Sequence, residues 1–164
     1  MERAIRNFLN HLREERNASP RTILSYASDL GQFAAFLKAS GALQDAAADA
    51  GTPARAVDAS VVRGFLASRH RAKDRKSSQA RKLSALRTFF QYLVAEGKIG
   101  SNPAKIVATP KQDKALPRFL TMEEAGLLME MPEGMGVWTL RDRAILETFY
   151  STGIRLSELV EIDV

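Results

Sequence analysis

The 164 residues include no cysteine, which excludes a disulfide framework and any cysteine-based metal site. No apolar run approaches the roughly 20 residues that a membrane-spanning helix needs. The opening, MERAIRNFLNHLREER, is charged throughout and reads as neither a signal peptide nor an anchor, so the expected compartment is the cytoplasm and no membrane partner is expected. Internal repeats are missing, and so is any convincing period-two alternation of the kind a half-buried strand shows. What remains is helical periodicity almost everywhere, in a chain that is 45% hydrophobic and 26% charged, the composition of an ordinary globular protein.

Charge is unevenly placed. Residues 1–116 carry 20 Lys and Arg against 10 Asp and Glu, a net of +10, whereas residues 117–164 carry 4 against 9, a net of −5. A basic first part points to a polyanion, because clustered cations gain affinity by displacing counterions from phosphates. From charge alone, a solvated surface kept apart by repulsion fits equally well.

Four amphipathic helices are predicted within the first 95 or so residues. The first carries Ile5, Phe8, Leu9 and Leu12 on one face. Ser19 and Pro20 then read as a cap followed by proline at the first helical position. The second helix sets Leu24, Ala27, Leu30, Ala34 and Leu37 along a stripe, with Phe33 and Phe36 beside it. Residues 40–57, small and punctuated by Gly51 and Pro53, read as a loop. Asp58 caps a third helix with Val61, Val62, Phe65 and Leu66 facing inward, and RHRAKDRK at 69–76 is a basic connection. The fourth helix runs from about Ser77 to Glu96, buries Leu83, Leu86, Phe90 and Leu93, and stops at Gly97.

From Gly97 to Phe119 the pattern fails, and three prolines and several lysines read as a linker. The expected division is a helical domain over 1–108, a linker at 109–117 and a second unit from 118. That unit opens on a capping box, Thr121 with Glu124, and continues into a helix from about Thr139 that carries Leu140, Ala144, Ile145 and Phe149 and ends at Gly153. RLSELVEIDV begins one more apolar-faced segment, so 118–164 is expected to be a cut through a larger domain, with apolar surface left uncovered. Tyr26, Tyr92 and Tyr150 lie within helical patterns and read as core or partly buried residues. His11 reads as a solvated helix residue and His70 as part of the basic connection.

Arg155 and Glu158 stand three apart at a helix start, just past a glycine, where the carboxylate can hold the guanidinium in one pose. A planar, permanently charged fork suits a phosphate or a phosphoryl transition state. The spacing alone equally fits an exposed ion pair.

The surroundings carry more. LRDRAILETFYSTGIRLSELVEIDV at 140–164 resembles the segment of Xer-type tyrosine recombinases, of the phage-integrase family, that holds their first catalytic arginine. RKLSALRTFFQYLVAEGKIGSNPAKIVATPK at 81–111 is similar to the last helix and linker of their core-binding domain, and NASPRTILSYASDLGQFAAFL at 17–37 to its second helix. The resemblance implies a mainly α fold, in which a four-helix, SAM-like core-binding domain precedes the first helices of a catalytic domain. It implies site-specific DNA recombination through a 3′-phosphotyrosyl intermediate, with no cofactor or metal. The partners would be a double-stranded recombination site and homologous or paralogous recombinase subunits in a tetrameric synapse.

Carried over residue by residue, Arg155 matches the first catalytic arginine and Glu158 the acidic residue that braces it. The family's lysine, second arginine and tyrosine nucleophile all follow the matching segment, so residues 1–164 are expected to bind DNA at most. On the fourth helix Arg81, Ser84, Thr88 and Gln91 form the stripe opposite the core, and on the second Arg21, Ser25, Ser28 and Gln32 do the same. Polar stripes also serve as plain solvated faces, but the resemblance makes both helices candidates for the major groove. Lys73, Arg75, Lys76, Lys105, Lys111 and Lys114 are candidates for phosphates. The rival readings are a non-enzymatic helical DNA-binding regulator and a helical protein-interaction module.

Overall fold

A computed structural model describes residues 1–41, 53–111 and 119–162. The chain divides into two compact units, Met1–Asp113 and Lys114–Val164. No strand occurs among the described residues, and no helix among them is long and apolar enough to cross a membrane.

The first unit holds α1 (Glu2–Glu14), α2 (Pro20–Ala39), α3 (Ala59–Arg71) and α4 (Lys76–Ala95). Local chemistry sets where the middle helices begin. The Ser19 hydroxyl accepts from the Thr22 N–H ahead of Pro20, and the Asp58 carboxylate accepts from the Ser60 and Val61 N–H groups. Each helix then turns one apolar stripe inward: Ile5, Phe8 and Leu12; Leu30, Phe33, Ala34 and Leu37; Val62, Phe65 and Leu66; Leu83, Leu86, Phe89, Phe90 and Leu93. Edge-to-face aromatic contacts lock the stripes together, Phe8 on Phe89 at 5.5 Å and Phe33 on both Phe65 at 5.2 Å and Phe90 at 6.0 Å. Each fully buried phenylalanine contributes roughly 2–3 kcal/mol by leaving water.

Several expectations are corrected here. Leu24 is exposed, because it lies about 120° round α2 from the stripe centred on Leu30 and Leu37; Ile23 and Tyr26 pack on the core instead. The segment read as a loop at 40–57 contains a 3-10 turn, Pro53–Ala56, and Ala54 and Val57 are buried in the core; residues 42–52 lie outside the described ones. Half of the basic connection is helical, with Arg69, His70 and Arg71 ending α3 and Lys76 opening α4. Ile99, Ala104 and Val107 are buried, although the helical periodicity stops at Gly97. His11 is not simply solvated: it stacks on Tyr92 at 4.9 Å and pairs with Glu15 at 3.0 Å.

The second unit holds α5 (Met122–Glu130), α6 (Val137–Thr152) and the short α7 (Leu156–Val160). The expected capping box forms, with the Glu124 N–H donating to the Thr121 hydroxyl at 3.2 Å and the Thr121 N–H to the Glu124 carboxylate at 2.8 Å. Gly153 ends α6 in the left-handed region at φ 64°, donating its N–H to the Phe149 carbonyl. None of the described residues of α5–α7 is buried. Leu127, Met131, Trp138, Leu156 and Val160 are exposed, and so is Tyr150, which was expected in or near the core.

Candidate nucleic-acid interface

Where α2 meets α4, the structure gathers Arg21, Ser25, Arg81 and Ser84 around one groove, with Thr22, Tyr26 and the buried Asp29 also lining it. The convergence follows from helix geometry. Positions 21, 25, 28 and 32 recur every three or four residues along α2, as 81, 84, 88 and 91 do along α4, so each set forms one outward strip. A second, larger groove shares Thr22 and Tyr26 and adds Arg16, Arg87, Thr88, Gln91 and Lys105. Thr88 is tied down, its hydroxyl donating to the Ser84 carbonyl at 3.1 Å and accepting from the Tyr26 hydroxyl at 3.4 Å. Gln32 stands apart from both grooves; it donates to Ser28 and accepts from Arg69 at the end of α3. Lys73 and Arg75 lie in the turn between α3 and α4 and Lys76 in the first turn of α4, all three exposed, with Lys73 in the left-handed region at φ 61°. Lys105 and Lys111 are exposed as well, and Lys114 lies outside the described residues.

Beneath the groove lies a charge network that ties three segments together. The Arg81 guanidinium donates to one Asp29 oxygen at 2.6 Å, and the buried Lys82 ammonium lies 3.5 Å from the other and 3.4 Å from Asp74. Asp29 is 2% exposed. Burial pushes its carboxyl up, against the downward pull of Arg81 and Lys82. Gln79, also buried, donates to the Asp74 carbonyl at 2.9 Å and fixes the turn from which Asp74 reaches Lys82.

In the second unit Arg155 caps α7 from an extended backbone, and Glu158 sits in the first turn. The Glu158 carboxylate accepts both the Arg155 N–H, at 2.8 Å, and its guanidinium, at 2.9 Å. Those two bonds, backbone first, hold the Glu158 carboxyl below its ordinary range. The Arg155 side chain is 82% exposed, so the carboxylate orients the fork while leaving most of it accessible.

Residues 5–97 match the phage integrase N-terminal SAM-like domain. The chain belongs to that family. Three curated relatives are each named a tyrosine recombinase XerC. The one from Pelobacter propionicus is 46% identical over 94% of this chain and 49% of its own length. That from Thermodesulfovibrio yellowstonii is 41% identical over 94% and 47%, and that from Syntrophus aciditrophicus 41% over 99% and 52%. The chain thus spans about half the length of the curated relatives it matches. No solved structure matches it.

The SAM-like domain as matched ends at Gly97, yet its packing continues for ten residues more, through a side chain that sequence reasoning missed. Arg87 projects from α4 and donates through Nε to the Ala104 carbonyl at 3.2 Å, through Nη2 to the Val107 carbonyl at 2.6 Å and through Nη1 to the Thr109 hydroxyl at 3.1 Å. Asn102 closes the clasp, donating to the Arg87 carbonyl and accepting the Ala104 N–H. The network around Asp29 was missed too, although a signal exists: Asp29 is the single charge between Arg21 and Lys38 and stands next to core Leu30.

Proposed function

We propose that this chain is the DNA-gripping part of a tyrosine-type site-specific recombinase, acting on a double-stranded recombination site during chromosome-dimer resolution. The observation that carries the reading is the groove at which α2 and α4 bring Arg21, Ser25, Arg81 and Ser84 together, in a stretch with a net charge of +10 over residues 1–116. Two outward helix strips side by side fit the major groove, where polar side chains reach base edges. Lys73, Arg75, Lys76, Lys105, Lys111 and Lys114 would set register by meeting phosphates.

In the whole protein, a tyrosine oxygen would attack the scissile phosphate, forming a 3′-phosphotyrosyl bond and releasing a 5′-hydroxyl. A hydroxyl from the partner strand then reverses the step, so strands are exchanged rather than hydrolysed. Arg155 would offset charge growing on the non-bridging oxygens, with Glu158 holding its fork. Tyr26, Tyr92 and Tyr150 all precede Arg155, so the nucleophile belongs to a region outside these residues, and residues 1–164 alone should bind DNA without cleaving it. Homologous or paralogous subunits would complete a tetrameric synapse.

Two measurements test the reading. Duplex binding by this chain should weaken with salt, log K falling by about 0.9 per phosphate neutralised for each tenfold rise in salt; a flat response removes the DNA reading. In the protein extended to the length of its relatives, Arg155→Ala should cut formation of the covalent adduct on a suicide substrate a hundredfold or more, since removing one such donor typically costs about 3–4 kcal/mol. Site binding should survive, because it draws on many contacts. Adduct formation at the wild-type rate reduces Arg155 and Glu158 to a surface pair.

A further inference from the structure

We propose that Asp29 is a positioning residue for sequence reading: it holds Arg81 so that the free edge of the guanidinium reads a guanine. The inference rests on the DNA reading above and names the device that would give the α2–α4 groove its selectivity.

A carboxylate lining a groove meant for DNA is unfavourable at first sight, because it repels phosphates. Asp29 is also the only charged side chain between Arg21 and Lys38, so it does not belong to a general mixed-charge surface. Its two oxygens are divided between two cations of different standing. Lys82, with a side chain 6% exposed, faces one oxygen and is shared with Asp74, so it belongs to the interior. Arg81 takes the other oxygen through Nη1 at 2.6 Å, while its side chain stays 51% exposed in the groove with Arg21, Ser25 and Ser84. The carboxylate thus faces a buried ammonium 3.5 Å behind it and hydrogen-bonds in front to a guanidinium that faces outward.

That arrangement suits base reading more than phosphate binding. A phosphate accepts a cation from many directions and needs no fixed fork. A guanine presents O6 and N7 in one plane, and two parallel N–H groups must meet them together. Anchoring one nitrogen of a planar group sets the plane of all its donors. Arg81 is then held before DNA arrives, and the rotamer freedom that a free arginine would lose on binding is already lost on folding.

The test uses the 164-residue chain and a randomised 20-base-pair duplex pool, selected over several rounds and sequenced. Wild type should enrich a sequence containing a guanine whose replacement lowers affinity. Asp29→Asn is close in shape and removes one negative charge. It should lower the preference at that guanine roughly tenfold, as expected for loss of a fixed bidentate contact, while binding to the unselected pool tightens. Opposite movements cannot come from a loss of folded protein. Arg81→Lys keeps the charge and loses the planar fork, so it should lose the same base position. Because Arg81 is at the exposed end of the pair, this variant decides the matter should Asp29→Asn fold poorly. A wild-type pool that stays random removes the DNA-site reading itself. A wild-type preference that Asp29→Asn reproduces at every position overturns the role of Asp29, and one that Arg81→Lys reproduces overturns the guanine contact that Asp29 is proposed to position.

Discussion

Arg87 illustrates how one side chain can extend a domain. Residues after Gly97 have little periodic apolar content, yet Ile99, Ala104 and Val107 are buried, and the carbonyls of Ala104 and Val107 both end on the Arg87 fork. A charged donor spread over three acceptors fits such a segment better than an apolar contact would, because each carbonyl withdrawn from water needs its own partner. Arg87→Ala should therefore destabilise the first unit by about 3 kcal/mol, the scale expected when three bonds from a charged donor are lost and the Val107 carbonyl loses its Arg87 partner. Arg87→Lys should recover less than half of this, since an ammonium cannot span acceptors set around a plane. Urea midpoints give the loss, and amide exchange should quicken over 104–109 before the α2 core is affected. An unchanged midpoint for Arg87→Ala would mean that the clasp is ornamental.

At the scale of elements, the ends of α3 and α4 form the same motif with different residues. After α4, the Gly97 N–H reaches the Val94 carbonyl and the Lys98 N–H the Leu93 carbonyl, with Gly97 at φ 64°. After α3, the Lys73 N–H reaches the His70 carbonyl and the Asp74 N–H the Arg69 carbonyl, but the left-handed position at φ 61° is filled by Lys73. The backbone cost falls on any residue with a Cβ. Gly97→Ala should destabilise by about 1 kcal/mol, and Lys73→Gly should stabilise by about as much. If Lys73 meets a phosphate, that gain comes with weaker DNA binding, a trade that thermal melts and a binding titration on the same protein would expose.

The N-terminal end of α3 gives a pH test. Bonds from the Ser60 hydroxyl, then the Val61 N–H, hold the Asp58 carboxyl below its ordinary 3.8. A lowered native value means stability that is fully present above 3.8 and lost as pH falls through the native value. Asp58→Asn keeps an acceptor that does not titrate, so the advantage of wild type over this variant should shrink in acid. An advantage constant across that window would show that Asp58 contributes nothing by its charge. Caps, stripes and Gly97 were legible because each is a local pattern of a few residues. Leu24 was misread because a single stripe was drawn with two phases. Arg87, Asn102 and the pairing of Asp29 with Lys82 join residues far apart in sequence, and no local period encodes a partner 15 or 53 residues away.

For the molecule as a whole, the two units differ in what holds them together. The first closes five phenylalanines, Phe8, Phe33, Phe65, Phe89 and Phe90, almost completely away from water. The second has three helices with good local chemistry, namely a capping box, a glycine stop and the Arg155–Glu158 brace, but no buried side chain among its described residues. Caps contribute at most a kcal/mol or so each, and isolated helices shorter than about 12–15 residues are marginal in water. Local signals therefore suffice to specify α5 and α7 and do not suffice to hold them. Amide exchange on this chain should separate the units by orders of magnitude: α2 and α4 should open only with global unfolding, while α5–α7 exchange through local opening. The exposed side chains of Leu127, Met131, Trp138, Leu156 and Val160 make a further demand, since apolar surface of this extent favours association. Exchange in α5–α7 should accordingly slow as protein concentration rises, while exchange in α2 and α4 stays constant. Protection in α5–α7 equal to that in α4 and independent of concentration would refute both parts, because it would require a core that none of their described side chains supplies.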